Sequence, residues 1–137
     1  MKKTLEKYKS LEERNLSLLK KELQELQQEI EDVEYQIKAL NENLLSFDYR
    51  NFQYISDFHL TNSYINNLRN QIKELNNKLR RLYKKEENLK SKIVELNAKI
   101  KAVEKYMEKL EKEKSKEILK KEVAIIDEIF SRKFNDN

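Results

Sequence analysis

Residues 47–64 read FDYRNFQYISDFHLTNSY. The stretch holds six of the twelve aromatic residues and the only histidine, interleaved with Asn, Ser, Asp and Thr. Its flanks are long arrays of Leu, Ile, Lys and Glu. Such a break between two helical arrays reads as the tip of a hairpin whose flanks fold back on one another.

Before the tip, apolar residues recur with alternating spacings of three and four at Leu16, Leu19, Leu23, Leu26, Ile30, Val33, Ile37, Leu40, Leu44 and Phe47. After it the repeat resumes at Ile65 and runs through Leu68, Ile72, Leu75, Leu79, Leu82, Glu86, Leu89, Ile93, Leu96, Ile100, Val103, Met107 and Leu110, broken only by Glu86. That spacing keeps one stripe of a helix facing a partner helix, which is the pattern of a coiled coil. Residues 1–15 are highly charged and looser, with Leu5, Tyr8 and Leu11 on a helical face.

Composition agrees. With 39% charged residues and neither Gly nor Pro, the chain has few ways to build a sheet, and 38% apolar residues suffice for a stripe but not for a thick core. The absence of Cys removes disulfides, thiolate metal sites and cysteine nucleophiles together. No apolar run approaches the roughly 20 residues of a membrane-spanning helix, and MKKTLEKYKSLEERN lacks the apolar centre of a signal peptide. The expected location is cytoplasmic.

The phase of the repeat happens to continue through the tip, so one long helix in a parallel dimer competes with the hairpin. Charge separates the two. Residues 22–34 contain Glu22, Glu25, Glu29, Glu31, Asp32 and Glu34 with no Lys or Arg, and a parallel dimer would set this block against its own copy. If the chain folds back about residue 56, residue i faces about 112 minus i, and the block meets Lys78, Arg80, Arg81, Lys84, Lys85 and Lys90. Residues 1–68 carry 9 Lys/Arg against 12 Asp/Glu and residues 69–137 carry 20 against 13, so the arms attract. The same register matches apolar layers throughout, except Leu26 with Glu86. A shift of one heptad would match them almost as well.

The expected fold is therefore all-α, a long two-helix antiparallel coiled-coil hairpin forming one domain over residues 1–137. Helix 1 is expected at about 3–53, the tip at about 50–62 and helix 2 at about 57–133. Ser56 or Asp57, or later Thr61 or Asn62, would cap the second helix. The tip aromatics either close over one another or form an exposed contact patch. His59, without grouped partners, reads as a surface or capping side chain. The register exhausts the first arm near Leu110, so the second helix overhangs from about residue 111. There Ile118, Leu119, Val123, Ile126, Ile129, Phe130 and Phe134 form an amphipathic segment out of phase with the main seam. An apolar face on a lone helix asks for a partner, for self-association or for folding back.

The size, the shorter first and longer second helix, ENLLSFDYRNF, SYINNLRNQIKEL and above all KKEVAIIDEIFSRKF resemble the FliJ/YscO family over nearly the whole length. These are stalk proteins of the flagellar and virulence type III export ATPases. The resemblance implies a non-enzymatic stalk of a protein export complex, cytoplasmic and peripheral to the membrane export apparatus. The termini would enter a hexameric export ATPase ring through Ile118, Val123, Ile126, Asp127, Glu128, Ile129, Phe130 and Arg132. Leu45, Tyr49, Tyr64, Leu68, Gln71 and Leu75 near the tip would meet the cytoplasmic domain of the export-gate membrane protein. Export chaperones are a further implied partner. Leu68 and Leu75 are also seam positions, where plain core packing competes with contact.

Other classes fit less well. A prefoldin-like chaperone or adaptor would share the hairpin without the Asp-Glu-Ile ending. The basic run from Lys78 to Lys85 suggests nucleic acid, but the acidic arm answers it. No Gly-rich phosphate loop and no cluster of catalytic residue types supports an enzyme, a cofactor, a metal or a small-molecule substrate.

Overall fold

The computed structural model describes residues 1–47 and 55–135, with side chains at 1–47 and 57–133. They form two helices, α1 (Lys2–Leu45) and α2 (Ile55–Asn135), packed together as a hairpin. Contacts group the chain into two units, Ser17–Val94 and Met1–Leu16 with Glu95–Asn137.

In Ser17–Val94 the core is the predicted seam. Leu26, Ile30 and Val33 of α1 bury against Leu82 and Leu89 of α2, with Leu19, Leu23, Ile37, Leu75 and Leu79 around them. Ile65 and Val33 are each only 2% exposed. Burial of such a side chain contributes roughly 1.5–3 kcal/mol, several times what an exposed ion pair gives. Glu86, the polar break in the repeat, is half-buried, and Lys90 one turn on lies 3.6 Å from its carboxylate. The misfit is thus neutralised along its own helix. Among the described residues one ion pair links the acidic block to the basic arm, Glu29 to Lys78 at 3.8 Å. Beside it the Tyr83 hydroxyl donates a hydrogen bond to the Glu34 carboxylate.

At the start of α1 the inward-facing positions are not all apolar. Tyr8 and Leu11 are exposed, whereas Leu5, Lys9, Glu12 and Leu16 are half-buried. α1 is one uninterrupted helix, so the phase set from Leu16 onward carries back to 12, 9 and 5 and turns polar residues inward. Lys9 answers by reaching Glu104 of α2 at 3.3 Å and Glu13 at 3.7 Å. Leu96, Ile100, Val103 and Met107 line the α2 side of this second unit at seam positions.

The tip boundaries differ from expectation. α1 ends at Leu45 and not near residue 53. Ser46 caps its last turn: the Ser46 Oγ donates to the Asn43 carbonyl at 2.6 Å, and Phe47 N–H donates to the Leu44 carbonyl at 3.4 Å. These tighter bonds satisfy carbonyls that an α-helix end leaves open. α2 starts at Ile55, so Asp57, Thr61 and Asn62 lie inside it and none of the three is the cap, while the Ser56 side chain lies outside those described. Asp57 in the first turn still complements the positive end of the helix dipole. Phe47 and Tyr64 meet at 5.2 Å between ring centroids, beside buried Ile65. Phe58 is exposed, its ring 6.0 Å from that of His59, and Tyr49, Phe52 and Tyr54 lie outside the described residues.

Two measurements check this packing. Ile30→Cys with Leu82→Cys should form a disulfide within one chain at high dilution, and bonds formed only between chains would restore the parallel dimer. The Tyr83 phenol is held above its ordinary value, first by donating to Glu34, then by desolvation and by the charges of Glu34 and Glu86. A raised folded value means that the link contributes fully below the unfolded tyrosine range and is lost as pH rises through the folded value. Alkaline ultraviolet titration should show a late-ionising phenol that Tyr83→Phe removes.

Candidate functional site

Two surfaces lie outside the seam. The first begins where α1 runs out. Lys2 reaches Glu111 at 3.4 Å, and every described side chain from 111 to 133 is exposed. Continuing the seam spacing beyond Leu110 gives Lys114, Glu117, Lys121, Ala124, Glu128 and Ser131, a line that is polar apart from Ala124. The apolar side chains lie on a different face: Ile118, Leu119, Val123, Ile125, Ile126, Ile129 and Phe130 are each between 48% and 60% exposed. At 3.6 residues per turn they span roughly 160° of the helix. That is wider than the stripe two paired helices need and suits a helix enclosed by several neighbours.

Of the charged residues expected beside this face, Arg132 and Glu128 pair along the helix at 3.1 Å. Asp127 is exposed and outside that pair. From residue 111 on, seven Lys/Arg stand against seven Asp/Glu. The segment is electrically neutral. Ile125 was absent from the sequence-derived set, although its spacing from Ile118 and Ile129 places it on the same ridge.

The second surface is near the tip, in Ser17–Val94. The expected contact residues do not form one patch. Leu45 stands 84% exposed at the end of α1, Tyr64 is half-covered by Phe47, and Leu68 is buried in the seam. Tyr49 lies outside the described residues. Gln71 and Leu75 do come together, lining an open groove of about 630 Å³ with Glu74, Lys78 and Arg81 of α2 and Tyr35, Gln36, Ala39 and Leu40 of α1. Tyr35, 74% exposed on the rim, was not singled out from the sequence. The available signal was an aromatic two residues past seam position Val33, off the stripe within an acidic block.

A protein-family model described as Flagellar FliJ protein matches residues 1–137, the whole chain. The chain belongs to the FliJ family. FliJ-family proteins are flagellar export stalk proteins, structural and not enzymatic, so membership associates this chain with the flagellar export apparatus and protein transport. No curated protein and no solved structure matches it. Among the described residues no helix is long and apolar enough to cross a membrane.

Core and surface roles separate by unfolding in urea. Leu68→Ala should cost about 2–5 kcal/mol through lost burial and a cavity. Leu45→Ala, Tyr35→Ala and Ile126→Ala, all at exposed positions, should stay within about 0.5 kcal/mol.

Proposed function

We propose that this FliJ-family chain is the central stalk of a hexameric flagellar export ATPase, with its termini inside the ring. The observation that carries the reading is the wide apolar face from Ile118 to Phe130, exposed beyond the Lys2–Glu111 ion pair. A ring lumen encloses a helix on all sides, which suits a face of this width better than a single partner helix does. The neutral charge balance of the segment lets it enter without fixing one rotational setting by long-range attraction. Asp127, Glu128 and Arg132 border the face and would supply local polar contacts.

The groove of Tyr35, Leu40, Gln71 and Leu75, with Leu45, Tyr49 and Tyr64 nearer the tip, would engage the cytoplasmic domain of the export gate. Its apolar floor suits an inserted side chain, and Lys78 and Arg81 at its edge favour an acidic neighbour. Leu68 then serves the groove by holding the seam beneath it, and not by contact. The working location is cytoplasmic, at the export apparatus, and export chaperones are further candidates for the exposed surfaces.

The test is hydrolysis by purified hexameric export ATPase with and without this chain. The chain should raise the rate. Ile126→Asp, which puts a charge in the apolar face, should lower the apparent affinity by tenfold or more, as should the combined reversal Asp127→Lys, Glu128→Lys, Arg132→Glu. A native chain without effect on the ATPase, or variants that act like it, would overturn the ring reading.

A further inference from the structure

Leu119, Val123, Ile126 and Phe130 repeat the four, three, four spacing of a coiled-coil seam inside the wider apolar face. Their phase differs from that of the α1–α2 seam, so α1 cannot use them by extending its own pairing. The charges beside this second seam are not symmetric. Lys120 and Asp127 flank it on one side and Glu122 on the other.

We infer that this segment pairs antiparallel with the same segment of a second copy of the chain. The charge pattern selects that orientation. Antiparallel packing sets Val123 against Ile126 of the other copy and Leu119 against Phe130, every layer apolar. It also brings Lys120 beside Asp127 of the other copy, and two-fold symmetry makes that ion pair occur twice. Parallel packing would match Leu119, Val123, Ile126 and Phe130 each to itself, but it would set Glu122 beside Asp127, a repulsion that also occurs twice. Opposite charges flanking a seam favour the pairing and like charges disfavour it.

The pair is short, about two heptads, and leaves the ridge of Ile118 and Ile125 uncovered, so its association is weak and concentration-dependent. The inference does not rest on the ATPase reading, because it concerns the chain alone. If both hold, the two uses of the face exclude one another, and pairing covers this apolar surface until an enclosing partner displaces the second copy.

The chain contains no Cys, so single cysteines report contacts directly. Leu119→Cys and Phe130→Cys variants should crosslink when mixed and oxidised, while neither crosslinks alone. In the antiparallel pair two copies of position 119 lie about 16 Å apart along the axis at 1.5 Å per residue. Crosslinking of each variant with itself would mean a parallel pair and overturn the inference. Because either substitution could weaken the association, sedimentation of the unsubstituted chain provides the second readout. Its mass should rise above 16.7 kDa with concentration. Lys120→Glu should raise the dissociation constant severalfold, and adding Asp127→Lys should restore it. A mass fixed at the monomer value across the range, or a double variant no better than the single, would also overturn it.

Discussion

Two helices packed side by side offer each other one narrow stripe, and nearly every feature of this protein stems from that limit. No second layer among the described residues buries those that fall off the stripe. Among the described residues, every buried side chain occupies a position of the three-four repeat, from Leu26 and Ile30 to Leu96 and Ile100. Apolar residues outside it, such as Leu18, Tyr35 and Val94, stay exposed. A continuous helix also cannot change phase without a break. That is why Lys9 and Glu12 turn inward at the start of α1 while Tyr8 and Leu11 turn out. The repeat therefore decides both what holds the fold together and what remains available to partners.

The second constraint is the inequality of the helices. α1 has 44 residues and α2 has 81. Neither Gly nor Pro interrupts α2, so nothing local ends it when α1 runs out beside Glu111. Beyond that point α2 has left its partner and changed the face on which its apolar residues lie. That change is the physical basis of both functional readings. An exposed helix carrying the old seam would look like an unfinished hairpin, whereas one carrying a new and wider face is built for something else.

Electrostatics acts on orientation more than on stability. The acidic block of α1 and the basic run of α2 meet through few direct pairs, and those pairs are exposed and worth some tenths of a kcal/mol each. Their role is to make the antiparallel arrangement better than the parallel one, a difference that both alternatives feel across many positions. The buried apolar layers then provide the free energy for whichever arrangement charge has favoured. The same division of labour, with different residues, underlies the orientation inferred for the C-terminal segment.

The sequence by itself determined the helical class, the seam positions and the antiparallel orientation, because each depends on periodicity or on charge summed along the chain, and its motifs carried the family. Such quantities survive small errors of position. Where α1 stops was legible only in the structure, since local bonds from Ser46 and Phe47 to the Asn43 and Leu44 carbonyls close its last turn and no Gly or Pro announces them. Tertiary structure also decided that Leu68 is core while Gln71 and Leu75 line a groove with Tyr35. A groove is made by side chains of two helices at one fixed rotation and spacing. Periodicity gives the stripe that each helix turns inward, but not the shape left beside it once the two are packed.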